Sequence, residues 1–301
     1  MKLKYSAISH SLASLGHDVF DTPRAILEGI KAAGYDGVDL PADVERLDPK
    51  IMRPLLADLG LEVPELSGAW SFHHAGEERN LASVDAEPRR RGVEYARQCL
   101  DLAAELDAPF FNVCGAQFPT PQIPFPRTSI AILRENFLNS LRVIVEHARG
   151  IGVIVLLEPL NRYECCPGVL TTISDALWMI EQLGADHLGI QPDIYHMHIA
   201  EISIAQALRS GGRHIKLMHV IETTRFRFGM GHADFPMIFE ILNEIGYNGC
   251  MSVYSPLISQ ELSQFKSLAL EGRAAPGRLD VREVMQAQLT FLKQIEARVS
   301  H

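Results

Sequence analysis

Short apolar runs alternate with longer stretches of helical periodicity from one end of the chain to the other. Eight runs read as strands: YSAISH (5–10), GVDLP (37–41), VPELSG (63–68), FFNVCG (110–115), VIVLLE (153–158), LGIQPD (188–193), IKLMHV (215–220) and CMSVYS (250–255). Runs that are apolar at nearly every position suit strands covered on both faces, as in a parallel sheet. Between them, PRAILEGIKAAG, PKIMRPLLADLG, RRRGVEYARQCLDLAAELD, SIAILRENFLNSLRVIVEHARG, ISDALWMIEQLG and FPMIFEILNEIGY carry apolar residues at helical spacing, and VREVMQAQLTFLKQIEARV supplies a last helix. Several of these end in Gly, which readily takes the left-handed conformation that closes a helix. Eight such units with no linker or low-complexity segment predict an α/β fold, a single (β/α)8 TIM barrel over residues 1–301. An open doubly wound sheet is the rival, and the eightfold repeat favours closure.

Polar residues gather where the strands end. Glu158 closes the fifth strand, Asp193 the sixth, and His219 stands one residue before the end of the seventh. An ionised carboxylate at the end of a buried run must be paired, hydrogen-bonded or metal-bound. Two carboxylates and an imidazole converging on one barrel mouth suit a divalent cation. Taken singly, Glu158 serves equally to cap a turn, Asp193 to start a helix, and His219 as a satisfied core histidine. Their coincidence at three successive strand ends favours a site. Gln191 points to the same side as Asp193 but one layer deeper, so water or substrate is the better fourth ligand. Three long segments, WSFHHAGEERNLASVDAEP, AQFPTPQIPFP and SPLISQELSQFKSLALEGRAAPGRLD, follow strands three, four and eight. In a barrel all three fall on the C-terminal face, where they cover or shape a pocket.

Composition narrows the function classes. A net charge of −9 offers no basic face for nucleic acid and no polybasic patch for a membrane. No run approaches the roughly 18 consecutive apolar residues of a membrane span. The start, MKLKYSAISHSLASLG, lacks a sustained apolar core and reads as a first strand rather than a signal peptide. The five cysteines, Cys99, Cys114, Cys165, Cys166 and Cys250, show no CxxC spacing, which suits reduced core thiols of a cytoplasmic protein rather than a thiolate zinc site. No GxGxxG or P-loop pattern opens a helix, which argues against a dinucleotide or nucleotide site.

The segments LEPLNRYE, QPDIYHMHIAE and LMHVIETTRFRFGMGHADF resemble the signature segments of the xylose-isomerase-like TIM barrels (the sugar phosphate isomerase/epimerase superfamily), nearest to the D-tagatose/D-psicose (allulose) 3-epimerase branch. Glu-x-Leu-Asn-Arg-Tyr-Glu, Asp-x-x-His-Met, His-x-x-Glu-x-x-Arg and Gly-x-Gly all stand in this chain. The resemblance implies that Glu158, Asp193 and His219 bind a divalent metal, Mn²⁺ first, with Co²⁺, Mg²⁺ or Zn²⁺ as alternatives. It implies that Glu164, His196 and Arg225 hold sugar oxygens near the carbonyl, and that Glu158 is also the proton-transfer base. His196 is a second catalytic candidate. The metal then polarises a carbonyl–hydroxyl pair and acidifies the C–H between. A small carbohydrate substrate and a homodimer or homotetramer are implied as well, and a partner subunit stays open.

One departure bears on mechanism. The family's eighth strand ends Tyr-x-Gly-x-x-x-x-Glu-Pro, whereas here it reads YNGCMSVYSP, with Tyr254 at the glutamate position. Epimerisation through a planar enediolate needs proton transfer on both faces, and only one of the two carboxylates remains. An isomerase or epimerase leads on resemblance. The alternative is a lyase acting on a 3-oxo-sugar or 3-oxo sugar acid by elimination, dehydration, decarboxylation or C-/O-deglycosylation with one base. A barrel that only binds sugar or a partner is opposed by the retained Glu158, Glu164, Asp193, His196, His219 and Arg225; an apurinic endonuclease is opposed by the acidic balance. Around this set, Trp70 and Phe118 are candidates to stack on a sugar face, with Tyr254 also facing substrate. His73 and His74 are loop histidines near the mouth, and His10 ends strand one. Arg89–Arg91 read as a solvated helix face, His232 stands beside the Gly-x-Gly turn, and His198 and His214 have no assigned role.

Overall fold

Parallel strands β1 (Lys4–Ile8), β2 (Gly37–Pro41), β3 (Glu65–Ser67), β4 (Phe110–Cys114), β5 (Ile154–Glu158), β6 (Leu188–Ile190), β7 (Leu217–Val220) and β8 (Cys250–Val253) pair in the order β6-β5-β4-β3-β2-β1-β8-β7. The computed structural model describes residues 2–68, 79–115, 128–163, 168–257 and 279–299. Isolated parallel bridges Ile190↔Ile215 and Asp193↔His219 join the two outer strands and close the (β/α)8 barrel. Pro192 stands between those bridges and has no N–H to give, so the β6–β7 ladder is broken there; its carbonyl accepts from His219 N at 2.9 Å instead.

The helices are α1 (Pro23–Ala32), α2 (Pro49–Leu59), α3 (Ala86–Glu105), α4 (Ile130–Ile151), α5 (Ile173–Leu183), α6 (Ile194–Ala200), α7 (Ile204–Gly211), α8 (Phe235–Glu244) and α9 (Val281–Val299). Their ends follow sequence chemistry. Thr172 and Asp175 form a reciprocal capping box on α5, and Gly152 and Gly184 close α4 and α5 at φ 77° and 54°. The pair α6 and α7 has no counterpart among the helical stretches read from sequence. Each is short, at 7 and 8 residues, and each is started by a capping side chain, Asp193 and Ser203.

Several strands stop earlier than their apolar runs. β1 ends at Ile8, and His10 lies in a 3₁₀ turn (Ser9–Leu15) rather than at a strand end. β6 ends at Ile190 because Asp193 already caps α6.

Alternation along the strands divides the apolar core in two. Phe111, Val113, Val155, Leu157, Met218, Val220, Met251 and Val253 point outward into the main cluster shared with the helices. Leu156, Leu217 and Cys250 form a separate small cluster with Phe110 and Ile154 inside the barrel. Further along the same inward rows the side chains turn polar: Ser6, Asp39, Glu65, Asn112, Gln191, His219 and Ser252 are all buried. A barrel interior is ordinarily filled by branched apolar residues. Here its upper part is built from hydrogen-bonding groups, which places polar chemistry directly beneath the C-terminal mouth.

Candidate metal and substrate site

Glu158 is the last residue of β5, and two neighbours compensate its burial. Its Oε2 accepts from Asn112 Nδ2 at 2.7 Å, and its Oε1 lies 2.9 Å from His219 Nδ1. Asp193 divides its two oxygens between tasks. Oδ1 accepts from His196 N at 3.1 Å to cap α6, while Oδ2 lies 3.8 Å from His219 Nδ1. The helix-start reading of Asp193 therefore holds, and its second oxygen is left facing His219. One ligand atom each from Glu158, Asp193 and His219 lies within 4.8 Å of the other two, and all three residues are buried. Two carboxylate oxygens and an imidazole nitrogen on three adjacent strand ends fit a divalent cation.

The far edge of the His219 ring meets a different group of side chains. Nε2 lies 3.2 Å from Glu65 Oε2 and 2.6 Å from Gln191 Nε2, and the Gln191 amide also donates to Glu65 Oε2. Gln191 thus sits one layer below Asp193, as its spacing implies, on the opposite edge of the imidazole from the triad. Asp39 accepts from Ser6 Oγ at 2.6 Å, and Ser6 Oγ is 2.9 Å from Ser252 Oγ.

These contacts fix the electrostatics. Burial alone would lower the His219 pKa, but Glu158 and Glu65 outweigh it and hold the imidazole well above its ordinary range. Burial pushes the Asp193 carboxyl up to about 6, with His219 opposing. Asp39 is pushed up to about 7 by burial and by Glu65. Glu65 is raised by burial, against the pull of His219.

Tyr254, at the sequence position where the resemblance expects a glutamate, stands against His219. Its Oη is 3.5 Å from His219 Nδ1, and its ring stands edge-on to both His219 and His10. Burial, reinforced by Glu158 and Asp193, raises the phenol well above 10, so it carries its proton at neutral pH. His10 is pushed down to about 4 by burial and by His219, and stays neutral.

The structure also brings His196 and Arg225 to this mouth through α6. His196 Nδ1 accepts from the Asn161 backbone N–H at 3.0 Å. With that nitrogen occupied as an acceptor, the neutral ring carries its hydrogen on Nε2. Arg225 has φ 59°, its N–H donates to Glu222 O at 2.8 Å, and its guanidinium lies 4.1 Å from the centroid of the Tyr195 ring. Adjacent residues of α6 thus present His196 and the aromatic platform for Arg225.

Glu222 belongs to the sequence motif yet faces away from the triad. Its carboxylate accepts from the backbone N–H groups of Thr223 (2.8 Å), Gly229 (3.0 Å) and Ala233 (3.1 Å). A Cβ at Gly231 would overlap that carboxylate, which explains the Gly-x-Gly spacing. Glu222→Ala should therefore cost about 2–5 kcal/mol, since it strands several partly buried N–H donors at once. Urea denaturation measures it, and a loss below about 1 kcal/mol would show that the loop holds without the carboxylate.

Glu164, Trp70, Phe118, His73, His74, Cys165 and Cys166 lie outside the described residues, as do most of the three long segments. Of the remaining histidines, exposed His198 and His232 stack on each other with centroids 6.5 Å apart, away from the triad's contacts, and His214 is half-buried. Arg90 and Arg91 pair with Glu87 on the surface of α3, and Arg89 donates to Ser83 O and Val84 O. Cys99, Cys114 and Cys250 are buried thiols. Among the described residues no helix is long and apolar enough to cross a membrane. Sequence reasoning missed Glu65, Asn112 and Tyr195. The signal for the first two was a polar residue inside an otherwise apolar strand, at VPELSG and FFNVCG.

Known proteins share this architecture. Residues 27–268 match the family described as Xylose isomerase-like TIM barrel. The ketose 3-epimerase of Arthrobacter globiformis is 27% identical over 295 residues, covering 95% of this chain and 98% of that one. The 3-dehydro-D-guloside 4-epimerase of Escherichia coli K12 is 30% identical over 246 residues, covering 79% and 90%. A solved L-ribulose 3-epimerase superposes with a TM-score of 0.82 at 22% identity, covering 99% of this chain and 96% of that one, a likeness of fold.

Proposed function

The chain belongs to the xylose isomerase-like TIM barrel family, and from that premise we propose that it is a divalent-metal-dependent isomerase or epimerase of a keto-sugar or sugar derivative, working through an enediolate. The observation that carries this reading is the convergence of Glu158, Asp193 and His219 within 4.8 Å at the ends of adjacent strands. A cation held by these three, with Mn²⁺ first and Co²⁺, Mg²⁺ or Zn²⁺ as alternatives, supplies Lewis-acid polarisation of a carbonyl–hydroxyl pair.

The protein's own groups do the rest. Glu158, oriented by Asn112, takes the proton from the carbon beside the carbonyl. His196 offers its Nε2–H to a substrate oxygen, since Nδ1 is already an acceptor. Arg225, braced on Tyr195, supplies a second donor, a charged one, and Glu164 and Trp70 are the further substrate contacts of this reading. Tyr254, protonated and 3.5 Å from His219 Nδ1, is the group that this reading assigns to deliver a proton to the face opposite Glu158. A specific observation favours the second reading. With a phenol in place of a second carboxylate, the same site can act as a one-base lyase on a 3-oxo-sugar or 3-oxo sugar acid.

The test is a panel of ketoses and 3-oxo-glycosides incubated in D₂O with Mn²⁺ and followed by NMR. The epimerase places solvent deuterium on the carbon beside the carbonyl and yields both epimers; the lyase releases a leaving group or water. Absence of both deuterium uptake and bound metal would overturn the proposal. Tyr254→Phe then separates the two readings. In the epimerase it should lower epimer formation by about 10²–10⁴-fold while deuterium exchange through Glu158 persists. If it costs less than about threefold, the one-base lyase stands.

A further inference from the structure

The two edges of the His219 ring serve different masters, and the inner edge carries an assignment of its own. Nδ1 faces the triad, 2.9 Å from Glu158 Oε1 and 3.8 Å from Asp193 Oδ2. Nε2 faces inward, 3.2 Å from Glu65 Oε2. An imidazole nitrogen binds a cation only through a lone pair, so Nδ1 can do so only when the ring hydrogen sits on Nε2. That hydrogen needs an acceptor inside a dry barrel. Gln191 does not supply one in this arrangement, because the atom 2.6 Å from Nε2 is the amide nitrogen, which only donates and so favours the opposite tautomer, with the Nε2 lone pair free. Glu65 supplies it.

The surroundings of Glu65 point the same way. Its carboxylate is fully buried, and among the described residues its one ion-pair partner is His219. A buried carboxylate is a poor stability device, because desolvation consumes most of what pairing returns. The Gln191 amide donates to Glu65 Oε2, the same oxygen that faces the ring.

The geometry points to Glu65 as the positioning residue of the metal site: its carboxylate accepts the Nε2–H of His219 and thereby turns the Nδ1 lone pair toward Glu158 and Asp193. This rests on the metal reading above, and the tests are chosen to fail separately from it.

The first test is Mn²⁺ binding to the chelator-stripped full-length protein, with free ion read by electron paramagnetic resonance. Glu65→Gln keeps the size and removes the charged acceptor, and should weaken Mn²⁺ binding by about 10–100-fold. Gln191→Leu removes the competing donor, and should stay within about threefold of the parent or bind more tightly. An unchanged affinity in Glu65→Gln overturns the assignment, as does an equal loss in both variants, which would mark general damage to the cluster. Failure of the parent protein to bind Mn²⁺ at all would instead overturn the metal reading.

A second measurement needs no variant. In ¹⁵N-histidine-labelled parent protein saturated with Zn²⁺, the His219 resonances should show hydrogen on Nε2 and none on Nδ1. Hydrogen on Nδ1 with the ion bound would overturn the assignment whatever the variants do.

Discussion

Glu158→Gln is expected to lower turnover by about 10²–10⁴-fold while much of the divalent cation is retained. An amide oxygen still coordinates and still accepts from Asn112 Nδ2, the contact made at 2.7 Å in the parent. It does not accept a proton from carbon, and a positioned general base is worth about that factor. Turnover of the best sugar from the panel, measured beside bound-metal analysis, separates the roles. A parent rate with metal bound would make Glu158 a ligand only. The base would then lie among His10, His73, His74 and His196, and His10, at a pKa of about 4, is a weak base at neutral pH.

His219→Ala carries the second large effect, and it reaches both metal and fold. The imidazole contributes the nitrogen of the triad, so cation affinity should fall by more than the 10–100-fold typical of losing an outer support. Without metal, the same ring is the shared ion-pair partner of Glu158 and Glu65, both buried. Removing one partner of a buried pair costs about 3–5 kcal/mol, because charge is left uncompensated. Urea denaturation in chelator should show that deficit at pH 7. Its sign with pH follows from the raised imidazole. The contribution of His219 is fully present below the unfolded value of about 6.5 and is lost only as pH rises through the higher native one. The gap between parent and variant should therefore persist through neutrality and narrow in alkali. A variant as stable as the parent at pH 7 would show that the carboxylates are neutral there without the imidazole.

Much of this protein was written locally. Continuous apolar runs, helical spacing and the Gly stops follow from short-range chemistry, so the eight strands and the principal helices were legible from neighbouring residues alone. The triad was legible for a related reason. Strand ends in a parallel barrel all meet at one mouth, so Glu158, Asp193 and His219 could be brought together from their place in the repeat. The short helices α6 and α7 escaped because about two turns each leave too little periodicity, and only the capping side chains of Asp193 and Ser203 mark them.

What the sequence by itself could not give was partnership across the barrel. Glu65 and His219 are 154 residues apart, and Asn112 and Glu158 are 46 apart. A mid-strand acid reads the same whether it meets an imidazole, a serine or water. Only closure of the sheet, through the bridges Ile190↔Ile215 and Asp193↔His219, sets which inward side chains share a layer. The edge of the His219 ring that faces the triad, the acceptor role of His196 Nδ1 and the Tyr195 platform under Arg225 were decided at that level. Each depends on directions between strands and loops, and a one-dimensional pattern carries residue types and spacing but no directions.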